Sequence, residues 1–182
     1  MHTGTHYDLL YDGPRLQWPG QGIFRASSGL PGRQSSVLQC DPIGGPIPEG
    51  SYFLLLREDT TVPAPTADCH LDPAWTIQRI PSGQAAGECA PYWAAWGKNR
   101  VRLTRAGRLP PDCRVPRDGF YLHDSGKGYT HGCIEVEPRF FEVLRHMVAT
   151  MHSPHGKRRD RLNLLVNYLS GQTTNGGTYG LR

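Results

Sequence analysis

Glycine and proline interrupt this chain so often that a long helix has almost nowhere to form. They account for 22 and 16 of its 182 residues. Glycine frees the backbone for turns, while proline fixes φ and removes an N–H donor. A chain punctuated in this way favours short strands joined by tight turns. Aromatic and aliphatic residues nevertheless run along its whole length, which separates it from a disordered composition. The length suits a single domain over residues 1–182, large enough to bury a core. The expected fold is mainly β, with one or two short helices.

Tyr7, Leu9 and Tyr11 alternate with other residues up to the turn Asp12-Gly13-Pro14. Leu16 and Trp18 alternate next, before Pro19-Gly20. Ile23-Phe24-Arg25-Ala26 follows, closed by Ser27-Ser28-Gly29. Alternation bounded by such residues signals a hairpin or meander. A rigid turn over residues 44–50 feeds Tyr52-Phe53-Leu54-Leu55-Leu56, an apolar run that predicts a strand buried on both faces. Residues 58–92 are irregular and read as a long insertion, stapled by Cys69, Cys89 or Cys113. Trp93, Trp96 and Arg100-Val101-Arg102-Leu103 return the chain to the sheet. Gly119-Phe120-Tyr121-Leu122-His123 and Cys133-Ile134-Glu135-Val136 read as further strands. Pro138 is placed to open a helix in which Phe140, Phe141, Leu144, Met147, Val148 and Met151 form a core stripe. A last strand is expected within residues 162–169, followed by a polar, glycine-rich and mobile tail from Gly171 onward.

The net charge of +4 is mildly basic. It suits an anionic partner such as a bacterial wall, and an ordinary basic surface explains it better than dedicated nucleic-acid binding. No apolar run reaches the roughly 18 residues of a membrane span. The N-terminal residues lack a basic region followed by an apolar core, so no Sec-type signal peptide is expected. The five cysteines are Cys40, Cys69, Cys89, Cys113 and Cys133, with no C-x-x-C pair. That spacing disfavours a zinc knuckle or a thioredoxin-type site. An odd count admits one free thiol and two disulfides, or five reduced core thiols. Disulfides would place the working protein in an oxidising compartment.

The segment His123-Asp-Ser-Gly-Lys-Gly-Tyr-Thr-His-Gly-Cys133 carries the chemistry. A thiol attacks as the thiolate, so a catalytic cysteine needs a base or a positive neighbour. His131 lies two residues before Cys133, and His123 ends a predicted strand ten residues before it. Gly126, Gly128 and Gly132 let the intervening loop fold back. The assignment is Cys133 as nucleophile, His123 as general base, and Asp124 or a backbone carbonyl orienting the imidazole. His131 is secondary. The N–H of Cys133, with that of Gly132 or His131, would form an oxyanion hole. The plainer reading is a buried core thiol with histidines nearby by chance. An acting Cys133–His123 pair predicts a thiol pKa below the ordinary value of about 8.5 and fast alkylation near neutral pH.

Thr130-His131-Gly132-Cys133-Ile134 resembles the [Ser/Thr]-His-Gly-Cys signature of the L,D-transpeptidase (YkuD-like) catalytic domain, and Tyr121-Leu122-His123 resembles the strand bearing its base. Gly45-Pro46-Ile47-Pro48-Glu49-Gly50-Ser51-Tyr52, Phe24-Arg25-Ala26-Ser27-Ser28-Gly29 and Trp96-Gly97-Lys98-Asn99-Arg100-Val101-Arg102-Leu103 resemble the smaller DUF2778 branch. That branch includes toxins delivered by type VI secretion. The blocks fall within residues 7–136 and skip the insertion. The resemblance implies a β-sandwich-like fold and an acyl-enzyme mechanism without a cofactor. The bond attacked lies between the third-position diamino acid and the fourth-position D-Ala of a peptidoglycan stem peptide. Water as acceptor gives carboxypeptidation, and an amine gives cross-linking or D-amino-acid exchange. By the same resemblance Cys133, His123, His131 and Gly132 form the catalytic set, and Tyr121, Asp124, Ser125, Tyr129 and Thr130 line the substrate site. The protein is expected to act as a monomer in the periplasm of a target bacterium, with an immunity protein as a possible partner. Classical members place Arg or Asn two residues after the cysteine, where this chain has Glu135. Arg117, Lys127 or Arg139 would then hold the substrate carboxylate.

Three other readings compete. A cysteine amidase or endopeptidase would take its base from His146, His152 or His155. A non-enzymatic module would bind wall polymer or nucleic acid through Lys157-Arg158-Arg159-Asp160-Arg161, although no interleaved aromatics support base stacking there. Zinc on His123, His131 and Cys133 is disfavoured, because a transferring thiolate must be free.

Overall fold

The computed structural model describes residues 7–150 and 159–181. The chain opens as the expected meander: β1 (Leu9–Tyr11), β2 (Arg15–Trp18) and β3 (Gly22–Ser27) pair antiparallel in sequence order. Gly13 and Gly20 stand at positive φ in the two turns, which a side chain would resist. β4 (Gly50–Leu55), β5 (Gln78–Arg79), β6 (Asn99–Arg102), β7 (Thr104–Arg105), β8 (Tyr121–His123), β9 (Ile134–Val136) and β10 (Arg161–Val166) complete one ten-stranded sheet. Its order is β5-β6-β8-β9-β3-β2-β1-β10-β4-β7. The fold is mainly β, as the turn-rich composition requires. The sheet curls on itself, so that β4 and β6 touch although they are far apart in the hydrogen-bonded order.

The curl encloses one apolar core. Leu9, Tyr11, Leu16, Phe24, Tyr52, Leu54, Val101, Leu122, Ile134 and Leu164 are all essentially inaccessible. Helix α2 (Arg139–Thr150) closes this core with Phe140, Phe141, Leu144 and Val148, and the predicted stripe holds as far as the described residues reach. β4 departs from expectation. Tyr52 and Leu54 are buried, while Ser51, Phe53 and Leu55 are only half-buried. The strand lies on a single core, so its apolar run is covered on one side.

The insertion has a small core of its own. Ile80, Ala86, Cys89 and Trp93 pack together, with Cys69, Leu71, Ala90 and Trp96 against them. Trp93 belongs to the short helix α1 (Ala90–Trp93), and its indole N–H donates to the Cys69 carbonyl at 2.9 Å. Two disulfides, Cys69–Cys89 and Cys40–Cys113, leave Cys133 as the free thiol. The first closes the insertion. The second ties the loop after the 3-10 turn Ser36–Leu38 to the segment leading into β8.

The tail overturns the expectation of mobility. Thr174 and Thr178 are fully buried, and residues 173 and 175 form bridges to Ser35 and Ser27. Glycine gives this segment its turns, and its hydroxyls give it partners in the protein interior.

Candidate active site

β8 and β9 run parallel and side by side, with Leu122 opposite Ile134 and His123 opposite Glu135. Side chains alternate across a strand. Leu122, Ile134 and Val136 therefore enter the core, while Tyr121, His123, Cys133 and Glu135 share the other face. β6 adds Arg100 opposite His123 and Arg102 opposite Tyr121 on that face, with Val101 turned to the core. The ten residues separating His123 from Cys133 thus form a crossover that brings base and thiol onto neighbouring strands.

Cys133 is half-buried, and the Tyr121 N–H donates to its Sγ at 3.3 Å. Burial pushes the thiol pKa up, against smaller lowering effects from that N–H and from Lys127, Arg100 and Arg117. This reverses the expectation of a depressed thiol, because the protein packed around the sulfur outweighs the three cations. His123 is buried under Trp96, whose ring meets the imidazole edge-on at 5.6 Å. Burial, with the charges of Lys127 and Arg100, lowers its pKa from 6.5 to about 3. The ring is therefore neutral. It donates a hydrogen bond to the Trp96 backbone, and its Nδ1 has no partner, the thiol included. The bond to Trp96 consequently falls to Nε2, which leaves the Nδ1 lone pair open. Of the two proposed orienting groups, the backbone carbonyl holds the imidazole.

Asp124 does other work. Its carboxylate accepts from the N–H groups of Lys98 (2.7 Å) and Asn99 (2.9 Å) and from Asn99 Nδ2 (2.6 Å). A Cβ at Gly97 would collide with it. Asp124, itself buried, fixes the turn that follows Trp96. Ser125 is likewise buried, its hydroxyl donating to Glu135. Thr130 is also internal. Its hydroxyl donates to the Cys133 carbonyl at 2.5 Å and accepts from Gly132 N at 3.1 Å. That bond removes Gly132 N–H from the proposed oxyanion hole, leaving those of Cys133 and His131 as candidates. The His131 side chain is exposed. Tyr121 is buried between Trp96, Arg100 and Arg102, with its hydroxyl accepting from Ala74 N at 3.2 Å. Tyr129 is half-buried beneath the Lys127 ammonium.

Glu135, Ser28 and Trp96 were not legible as site residues, and Arg117 was expected only as one of three candidates to hold a substrate carboxylate. Glu135, fully buried, accepts from Ser125, from the N–H groups of Lys127 (2.8 Å) and Gly128 (2.7 Å), and from Thr178 Oγ1 (2.5 Å). It organises the crossover loop. Arg117 donates to the carbonyls of Gln39, Pro46, Gly45 and His131 at 2.8–3.2 Å. It clamps the turn at residues 45–46 to the nucleophile segment. Ser28 Oγ donates to the Gly132 carbonyl at 3.3 Å and accepts from Ile47 N at 2.9 Å. Trp96 roofs the base. The Phe24–Gly29 and Gly45–Tyr52 blocks therefore do meet at the thiol, as supports to its backbone.

Gly132 has φ +118°, and a Cβ there would strike the Arg117 guanidinium and approach Phe120 to 2.7 Å. Only glycine fits. No protein-family model matches the chain, and no curated protein emerges as its relative.

The competing bases fare differently. His146 lies on the exposed side of α2, while His152 and His155 lie outside the described residues. So do Lys157 and Arg158 of the basic loop. Arg159 pairs with Asp8, and Arg161 stacks over Phe53. Among the described residues no three His, Cys, Asp or Glu side chains are grouped to hold a metal. Three surface clefts, one lined by Leu55, Arg57 and Thr76, a second by Glu58 and Trp75 and a third by Arg25 and Glu137, contain neither Cys133 nor His123.

Proposed function

We propose that this protein is a cysteine acyl transferase acting on peptidoglycan stem peptides, as an L,D-carboxypeptidase, an L,D-transpeptidase exchanging D-amino acids, or both. The observation that carries the reading is the pairing across β8 and β9. A free thiol and a buried neutral imidazole with an open nitrogen share one face, at the residues that resemble the L,D-transpeptidase signature. A raised thiol beside a neutral imidazole is a general-base arrangement, with no thiolate–imidazolium pair at rest. Substrate binding brings sulfur and Nδ1 into hydrogen-bond contact.

The Cys133 proton passes to His123 Nδ1 as sulfur attacks the carbonyl of the third residue. The developing oxyanion takes hydrogen bonds from backbone N–H groups at Cys133 and His131. Collapse breaks the C–N bond, and His123 returns the proton to the departing amine. A thioester remains. Water or a D-amino acid then attacks it, losing a proton to His123, and the thiol reforms. Two disulfides beside a free nucleophile suit work in an oxidising compartment such as a target bacterium's periplasm.

The test incubates purified disaccharide-tetrapeptide with wild type and Cys133→Ala, with and without an added D-amino acid, and reads the products by mass spectrometry. Loss or replacement of the terminal D-Ala by wild type alone supports the reading. An unchanged tetrapeptide in both sinks it.

A further inference from the structure

The irregular segment between β7 and β8 reaches the protein interior through two side chains. Of residues 107–119, only Cys113 and Arg117 are buried. Cys113 is bonded to Cys40. Arg117, four residues on, donates to the carbonyl of Gln39, the residue before Cys40, at 2.9 Å, and to those of Gly45 and Pro46 at 2.8 Å. The same guanidinium donates to the His131 carbonyl at 3.2 Å and lies where a Gly132 Cβ would fall. Disulfide and clamp thus fasten the segment at adjoining points, and the clamp goes on to touch the nucleophile backbone. The loop on the Cys40 side is fastened without the disulfide. Gln39 Nε2 donates to Glu49 Oε2 at 2.9 Å, Glu49 N donates to Gln39 Oε1 at 2.7 Å, and Tyr168 N donates to Glu49 Oε1 at 2.9 Å. Asp41 pairs with Arg33. Opening the bond therefore frees residues 107–119 rather than residues 39–46. Arg117 is then the one buried anchor left in that segment, and its four partners are neutral carbonyls. A guanidinium held in the interior on such partners carries a desolvation cost. The disulfide supplies the proximity that keeps it there.

We infer that the Cys40–Cys113 disulfide is a redox switch on the candidate site: closed, it seats Arg117 against the nucleophile backbone, and reduced, it releases that clamp and idles the enzyme. This regulation rests on the acyl-transfer reading above. The N–H groups of His131 and Cys133 are the candidate oxyanion donors, and Arg117 fixes the peptide that joins His131 to Gly132 between them. Arg117 is thus a positioning residue. Cys40 is half-buried and Cys113 buried, so Cys40 presents the sulfur open to attack. A thiolate of a dithiol reductant attacks Cys40 Sγ, the S–S bond breaks, and Cys113 leaves as a thiolate that takes up the proton the attacking thiol lost. The reductant's second thiol then displaces Cys40 as a thiol and closes the reductant into a disulfide. In an oxidising compartment a disulfide oxidant runs the same exchange backwards.

The experiment measures tetrapeptide turnover and hydrogen–deuterium exchange for oxidised wild type, for the same protein reduced with a dithiol and then reoxidised, and for Cys40→Ser/Cys113→Ser, Cys69→Ser/Cys89→Ser and Arg117→Gln. Mass spectrometry reads which cysteine pair is open. Opening Cys40–Cys113 should lower kcat on the order of 100-fold with KM little changed, and reoxidation should restore it. Exchange should quicken at residues 113–120 and 130–133 while β3 and α2 stay protected. Arg117→Gln should show the same fall, and reducing the disulfide in that variant should add little. Full turnover with Cys40–Cys113 open overturns the switch. So does a fall that follows Cys69–Cys89 instead, or exchange that rises through β3 and α2 as well, which would make the bond a staple of the whole fold. Oxidised wild type inert on the tetrapeptide would overturn the acyl-transfer reading itself. Unchanged exchange at residues 130–133 with the bond open overturns the clamp whatever the turnover.

Discussion

Burying an imidazole beneath Trp96 makes acid a specific threat to this fold. The folded protein resists protonating His123 until about pH 3, whereas the unfolded chain accepts the proton near the ordinary value of 6.5. The unfolded state therefore binds more protons throughout that window, and stability falls as pH drops through it. Each pH step within the window removes about 1.4 kcal/mol. At about pH 5 the wild type has lost about 2 kcal/mol to this one group, and near the bottom of the window about 5 kcal/mol. His123→Gln keeps a side-chain N–H donor and cannot titrate. Denaturant unfolding of both proteins, disulfides intact, at neutral pH and about pH 5 isolates the effect, since the carboxylates common to both cancel. The variant should gain about 2 kcal/mol on wild type over that interval. An unchanged difference, or an NMR titration placing His123 near 6.5, would refute the reasoning.

Cys133 should react with iodoacetamide more slowly than free cysteine at neutral pH, with the rate climbing beyond the ordinary thiol midpoint; rapid neutral labelling would contradict the raised thiol. Gly132→Ala should cost roughly 3 kcal/mol or more, from strain at positive φ and displacement of Arg117, measured by denaturation; wild-type stability would show the clamp to be slack. Thr178→Val leaves the buried Glu135 carboxylate short of a donor and should cost about 1.5–3 kcal/mol. Its activity should fall with it, and a variant stable and active as wild type would separate tail from site. Replacing Cys69 and Cys89 together by serine should cost about 3 kcal/mol of loop-closure entropy across their separation of 20 residues.

What sequence reading found, it found where pattern is local. The meander over residues 7–30 announces itself by alternation and turn residues. The α2 stripe repeats at helical spacing, and Cys133 and His123 stand out by chemistry within ten residues. What escaped depends on distant partners. Arg117 reaches carbonyls up to 78 positions away, and nothing in its neighbours marks it as a clamp. Asp124 and Ser125 sit beside His123 in sequence, which suggested substrate contacts. Both are buried and spend their side chains on distant partners, Asp124 on Lys98 and Asn99 and Ser125 on Glu135. Glu135, a departure from the family signature, is the organiser of the loop. β4 misled because an apolar run does not say how many cores it faces.

The tail has a consequence for biosynthesis. Glu135 takes a donor from Thr178, 43 positions later, and Gly180 N–H closes onto the Gly126 carbonyl at 2.9 Å. A ribosome that has just released Cys133 and His123 has made both reactive groups without the frame that seats them. The loop between β8 and β9 therefore lacks two of its fastenings until the tail residues clear the exit tunnel.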